Sequence, residues 1–458
     1  MRNVVFVVTC LSFCAAVFGG ELSIPRNRWR HLSTGNGDLE IPTGRGAEQT
    51  ATLIVDIDLD GLNDFVICDR AAAPSVTWYR RDTTGWTRHI IDDEVLPIEA
   101  GGVFFDVDDD GDFDVVEGAG GTDNKVWWWE NPYPNLDPVT PWTRREIKSD
   151  GENKHHDCAF GDVDGDGKPE FVFWNNFRTR PKLFVAEIPE DPRNSGPWER
   201  TQIYEGRDLA EGLEIADIDG DSVVDIVAGG FWFQYEDGDY ITREIDREQA
   251  FSRIAVGQLI PGGRPEIVMV RGDHSSGVVG TGPIEMFEWD GSVWVETQLE
   301  PALVDHGHSL AIVDFNRDGH LDIFNAEMDI QGNSDAAMRI YYGDSTGSFE
   351  LHEVSTGFDN HESKVGDLDG DGDLDILGKP FERSPGIDIW LNEGLELGVL
   401  PIDQWVRHSV DADQPWLSLF AVPGDFDGDG FNDIASGGWW YRSDGDDYSG
   451  DWERRLIG

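Results

Sequence analysis

The chain has 458 residues, of which 90 are Asp or Glu and 35 are Lys or Arg, giving a net charge of −55 at pH 7. Such a surface repels the phosphates of nucleic acids and of anionic membranes, so neither is an expected partner. No stretch beyond the N-terminus reaches the apolar length of a membrane helix, and membrane insertion is not expected either.

Residues 1–19, from MRNVVFVVTC to Gly19, read as a signal peptide with one Arg, an apolar run and small residues before the cut. The mature protein is therefore expected to be secreted or periplasmic. Cys10 and Cys14 leave with that segment; Cys68 and Cys158 fall in strands of different repeats and read as buried thiols. Residues 20–48 are assigned to an N-terminal strand and linker, and residues 49–458 to one repeat domain.

That domain is organised by a recurring acidic loop. The copies are DIDLDGLND (56–64), DVDDDGDFD (106–114), DVDGDGKPE (162–170), DIDGDSVVD (217–225), DFNRDGHLD (314–322), DLDGDGDLD (367–375) and DFDGDGFND (425–433). An eighth, QLIPGGRPE (258–266), keeps the spacing and loses the carboxylates before Glu266. Alternate oxygens on a tight loop suit a hard cation, and calcium is expected at up to seven structural sites. The ligands would be Asp56, Asp58, Asp60 and Asp64; Asp106, Asp108, Asp110 and Asp114; Asp162, Asp164, Asp166 and Glu170; and Asp217, Asp219, Asp221 and Asp225. The remaining sets are Asp314, Asn316, Asp318 and Asp322; Asp367, Asp369, Asp371 and Asp375; and Asp425, Asp427, Asp429 and Asp433. The loops are too short for an EF-hand, and they join strands instead of helices.

Starts recur every 50, 56, 55, 41, 56, 53 and 58 residues, which marks a repeat architecture. Each repeat reads as an apolar strand A, the loop, a strand B, an aromatic strand C such as KVWWWEN, and an alternating strand D such as WTRREI. The fold class is all-β: a single propeller of four-stranded antiparallel blades with eight blades expected and seven as the alternative. An additional D-like segment, RWRHLS at 28–33, is a candidate for closing the ring.

The DxDxDGxxD loop between the first two strands resembles the FG-GAP (VCBS) propellers, which include the heads of integrin α chains. The resemblance spans essentially the whole mature chain and implies the propeller and its calcium loops, not an activity.

Function is sought where the blades differ. Six residues before each loop, where strand A begins, stand Thr50, Ala100, His156, Glu211, Ser252, His308, His361 and Leu419. These positions ring the channel mouth opposite the loops. His155, Asp157, His306, Asn360 and Glu362 flank them, and returning B strands bring Asn175, Glu327 and Lys379. Convergent titratable groups in a concave place are the usual mark of a site.

Three imidazoles and a carboxylate (His156, Glu211, His308 and His361) are candidate ligands for one Zn²⁺ or similar transition metal. Alternatively His156, His308, His361 and Lys379 act as base and charge stabiliser without a metal. His155, Asn175, His306, Glu327, Glu362 and Trp416 are candidate substrate contacts.

HHDCAFGDVDGDGKPE, EGLEIADIDGD, HGHSLAIVDFNRDGHLDIFNAEM and NHESKVGDLDGDGDLDILGKPF resemble the propellers of aldos-2-ulose dehydratases and polysaccharide lyases. That resemblance implies elimination on a sugar or uronate. A non-catalytic carbohydrate- or protein-binding propeller is the alternative. The tripeptide at residues 271–273 reads as coincidence, and no nucleophile elbow, P-loop or dinucleotide fingerprint occurs.

Overall fold

A computed structural model describes residues 27–42, 48–175, 180–206, 210–271, 281–299, 303–330, 333–381 and 385–395, with four short strands beyond residue 420. Seven four-stranded antiparallel sheets follow one another along the chain. Their first strands are Gln49–Val55, Val103–Phe105, His155–Gly161, Leu213–Ala216, Ser252–Gly257, Ser309–Val313 and Lys364–Gly366. Each of these touches the next, and the seventh touches the first. They are the inner strands of a closed seven-bladed propeller.

No blade buries both faces alone, so the core is divided among seven apolar clusters, each shared by two neighbouring blades. Trp78 of blade 1 packs with Trp127 and Trp129 of blade 2, and Trp128 faces the other way onto Phe171 and Phe173 of blade 3. The three consecutive tryptophans thus serve two interfaces, as the alternation of a strand requires.

The expected eighth blade is not part of the ring. Asn27–Ser33 pairs antiparallel with Asp388–Leu395 and supplies the outermost strand of blade 7. The alternating segment that follows strand C of this repeat in sequence, Trp405–Val410, lies outside the described residues. Joining the first strand to the last blade ties the ends of the ring through hydrogen bonds. Asn27 secures it, donating from Nδ2 to the Phe315 carbonyl (2.9 Å) and to Asn392 Oδ1 (3.0 Å), while the Tyr342 hydroxyl donates to Asn27 Oδ1 (2.7 Å). Ile24–Glu396 form one compact unit. Beyond it, an antiparallel sheet is made by Ala421–Gly424, Asp433–Ser436, Trp439–Arg442 and Glu453–Leu456. The eighth repeat makes this sheet of its own, and the propeller has the alternative count of seven blades.

Each acidic loop among the described residues is tied to its blade by its ninth residue. Asp64 accepts from Ile57 N (3.2 Å) and Arg81 N (2.6 Å), and Asp114 from Val107 N (3.1 Å) and Asn131 N (2.8 Å). Asp322 and Asp375 repeat the arrangement with Phe315 and Gly343, and with Leu368 and Asn392. One carboxylate thereby joins its own loop to strand C. In blade 5, Glu266 keeps the tie to the loop by accepting from Leu259 N (2.8 Å) and Ile260 N (2.9 Å).

Candidate active site at the channel rim

Two successive positions at the start of strand A build the rim cluster. His156, Glu211, His308 and His361 occupy the first, and Asp157, Arg253 and Glu362 the second. All seven are buried. Asp157 (φ 49°) and Glu362 (φ 55°) have left-handed backbone, which a non-glycine residue adopts only when its surroundings hold it there. At Asp157 this coincides with a bulge between His156 and Cys158 in the pairing of strands A and B. Gly101 permits that bulge: a Cβ on it would lie 2.3 Å from the Asp157 nitrogen.

Arg253 is the centre of the cluster. Its Nη1 donates to Asp157 Oδ1 (2.7 Å), and its Nη2 is 2.9 Å from His308 Nδ1 and 2.8 Å from Nε2. Glu211 and Glu362 each bring a carboxylate oxygen to 3.8 Å of the guanidinium. Asp157 also accepts from His156 Nδ1 (2.9 Å) and from Gly212 N (2.8 Å). Its hydrogen bond fixes the His156 ring, whose Nε2 lies 3.3 Å from Glu211 Oε1. His308 Nε2 lies 3.7 Å from Glu211 Oε2, and the His308 ring stacks on His361 with centroids 4.5 Å apart.

These surroundings drive the imidazoles apart. Burial alone would lower His156, but the Glu211 and Asp157 carboxylates outweigh it and raise the group to about 9. Burial, then the Arg253 charge, holds His308 well below the ordinary histidine range. Burial, then Lys379, does the same to His361. Asp157 is kept far below the usual carboxylate range: burial opposes this, and Arg253 and His156 overcome it. Near neutral pH the rim therefore presents a charged His156 beside a neutral His308. Asp157, Arg253, His308 and Glu362 also line a cavity of about 270 Å³ that continues along the inner strands past Glu214 and Lys364.

Lys379 is fully buried; its Nζ donates to the carbonyls of Thr50 (2.8 Å) and His361 (2.6 Å) and is 3.0 Å from His361 Nδ1. Burial pushes it down to about 7. It joins blade 7 to blade 1 behind His361, so it reaches the cluster only through that ring.

Other expected rim residues point elsewhere. Both ring nitrogens of His155 face carbonyls, of Trp174 and Glu152 (3.1 Å each), and burial pushes the group down to about 3. Asn175 donates to the Asn153 carbonyl. Glu327 pairs with Arg339 (2.7 Å) and accepts from Asp305 N and Ala337 N (2.9 Å each). His306 is buried with Nδ1 2.5 Å from Asp305 Oδ1. Trp416, Leu419, Asp425, Asp427 and Asp429 lie outside the described residues, as does the side chain of Asp433.

Arg253 was not among the residues singled out from sequence. The signal was present one place after Ser252, a cation beginning an inner strand of a very acidic protein.

For metals, His156, Glu211 and His308 bring one donor atom each within 4.8 Å of one another, and His361 is not in that set. The loops hold comparable groups: Asp56, Asp58 and Asp64; Asp106, Asp108 and Asp110; Asp162, Asp164 and Glu170; and Asp217, Asp219 and Asp225. Asp58 Oδ1, Asp108 Oδ1, Asp162 Oδ1 and Asp369 Oδ1 are buried without a hydrogen-bond donor, which fits a cation. Two loops already meet an arginine. Arg80 pairs with Asp58, and Arg193 Nη2 lies 2.7 Å from Asp108 and 2.5 Å from Asp110.

The sequence pattern of the FG-GAP-like repeat matches residues 106–173, from the loop of blade 2 to strand B of blade 3. The chain carries an FG-GAP-like repeat on a seven-bladed propeller. No curated relative matches this propeller's sequence. Among solved structures it is similar to the BP39L lectin from Burkholderia pseudomallei, with 12% identity, 77% of this chain and 97% of that one covered, and a TM-score of 0.51. It is also similar to the V. cholerae biofilm matrix protein Bap1, with 12% identity, 77% and 89% covered, and a TM-score of 0.43. At 12% identity the likeness to the lectin is one of fold.

Proposed function

We propose that this FG-GAP-like propeller is a secreted, carbohydrate-active protein that eliminates across a C–O bond of a uronate or related sugar at the channel rim. The observation that carries the reading is Arg253 held between Asp157 and the neutral His308 on the wall of the cavity. A sugar carboxylate engaging the guanidinium would draw it from His308 and free that imidazole nitrogen. His308 then takes the proton beside the carboxylate, Arg253 stabilises the enolate charge, and His156 protonates the departing oxygen. The C–H and C–O bonds break, one C=C bond forms, and a later proton exchange restores both histidines. Groups whose surroundings separate their acidities in this way suit paired acid and base roles.

A second reading keeps the substrate and adds an ion. Two imidazoles and a carboxylate suit Zn²⁺, which would supply the electrophile at His156, Glu211 and His308. Arg253 then has to yield its place beside His308. Calcium in the acidic loops is proposed as the structural cofactor, in keeping with an extracellular or periplasmic setting.

The test is incubation with polygalacturonate and other uronate polymers while following the ultraviolet absorbance of the new conjugated double bond. His308→Ala should cut the rate by about 10²–10⁴-fold in protein that still unfolds cooperatively. Saccharide binding with no product from any uronate substrate would replace this reading with that of a binding propeller. About one zinc per chain, lost in His308→Ala, would favour the metal form.

A further inference from the structure

A second concave site lies between blades 4 and 5 on the acidic-loop side, opposite the rim. It is a groove of about 530 Å³ lined by Trp232, Gln234 and Arg243 of blade 4 and by Arg264, Trp289 and Trp294 of blade 5. Two carboxylates also reach its wall, and both are engaged: Asp219 accepts from Gln234 Nε2, and Glu244 pairs with Arg247. Arg264 belongs to QLIPGGRPE, the loop that lost its carboxylates. Its guanidinium carbon is 4.6 Å from the Trp289 ring centroid and 5.4 Å from that of Trp232. Arg243 covers Trp232 as well, at 5.2 Å, but it is engaged with Gln234 Oε1 (2.8 Å) and with Glu236.

Arg264 differs. Its Nη1 is buried without a hydrogen-bond partner, and among the described residues no carboxylate pairs with it. In a chain with 90 acidic residues and 35 Lys or Arg, a cation left unpaired in a concave place is unusual. The tryptophans hold the guanidinium by cation–π contact, which engages its face and uses none of its N–H donors. Trp294 meets Trp289 edge to face at 5.4 Å and is half-buried, and its Nε1 also lacks a hydrogen-bond partner. Flat apolar rings, planar amide and guanidinium groups and one free cation together match a pyranose carrying an acidic group.

We propose that this groove is a saccharide-binding site selective for anionic sugars, with Arg264 pairing with a carboxylate or sulfate and the tryptophans contacting the ring. It does not depend on the rim chemistry: it lies on the other face and requires no turnover. Such a site would hold an acidic polymer to the propeller while the rim works on another part of it.

The test is calorimetric titration of the His308→Ala protein, in which elimination is blocked, at saturating calcium. The probes are tetragalacturonate, a sulfated tetrasaccharide and cellotetraose as the neutral comparison. The expected result is binding of an acidic oligosaccharide at least about tenfold tighter than of cellotetraose, weakened about tenfold or more by Arg264→Gln and partly restored by Arg264→Lys. Carboxylate and sulfate sources are told apart by which acidic probe binds more tightly. Equal affinity for neutral and acidic probes, the same affinity in Arg264→Gln, or no binding at millimolar concentration would overturn the proposal. If Arg264→Gln alone loses this affinity while the wild-type rim forms no product, the groove stands and the elimination reading falls. The opposite pair of results removes the groove and leaves the rim.

Discussion

Arg253 offers the most direct test of how the rim is held. Its side chain is 9% exposed, and Asp157, Glu211 and Glu362 all lie within 3.8 Å of it at 11%, 4% and 4% exposure. Replacing it by Met keeps the volume and removes the charge. Asp157 would retain His156 and Gly212 N, and Glu211 would retain His156, but Glu362 would lose its cation at 3.8 Å and has one oxygen without a hydrogen-bond donor. Removing one partner of a buried ion pair costs about 3–5 kcal/mol, and the surviving contacts of Asp157 place this case near the lower end. Arg253→Lys keeps the charge and loses the fork, for a cost of about 1–2 kcal/mol. Urea unfolding at fixed calcium measures both, and the Arg253→Met, Asp157→Asn double variant should lie well below the sum of the singles. A loss under about 1 kcal/mol for Arg253→Met with an unchanged m value would refute the electrostatic account of the cluster.

Tyr342→Phe should cost about 1–2 kcal/mol by leaving Asn27 Oδ1 without its donor at the ring closure, measured by the same unfolding. Glu266→Ala should cost about 1–3 kcal/mol equally in calcium and in chelator, because this carboxylate holds a loop with no other acid. A larger loss in calcium would show that the ninth position serves through an ion. Chelator should lower the melting midpoint of the whole propeller, since each site filled at a hundred times its dissociation constant contributes about 2.7 kcal/mol. Arg193→Gln should strengthen calcium binding at residues 106–114 by removing the cation beside Asp108 and Asp110, as titration of the single variant would show.

The blade pattern was legible because it is written in short range: a loop, an alternating strand and an aromatic strand repeat within about fifty residues. RWRHLS was also recognisable as a D strand, since an outer strand alternates wherever it comes from. The blade count was not legible. Eight repeats fit a ring of eight or of seven plus one, and pairing of Trp29 with Asn392 across the whole chain decides it. At the rim, counting back from each loop places His156, Glu211 and His308 near one another because each stands six residues before its loop on the approach to an inner strand. The same count could not show that His155, one residue from His156, faces away into Phe173, because alternation of side chains separates neighbours. Glu327 and Asn175 fail for a related reason. Local groups satisfy them instead: the Asn153 carbonyl for Asn175, and Arg339 with two backbone N–H groups for Glu327.

Blade 5 gives the ring its asymmetry. The six other blades carry acid at the loop, and a surface with that charge would turn away an acidic substrate from any direction. Blade 5 lost those acids, and two of its arginines stand where the others have none: Arg253 at the rim and Arg264 in the groove. Neither could act in a neutral surrounding without cost. Arg253 is stabilised by three carboxylates from blades 3, 4 and 7, and Arg264 by two aromatic faces. The difference in partner suits a difference in role. An arginine held by carboxylates waits beside His308 and changes partner only when a substrate carboxylate competes for it. An arginine held by indole faces keeps its charge available to a ligand. The repeat that departs most from the sequence pattern is therefore where binding of an anion is most favoured, on both faces of the propeller.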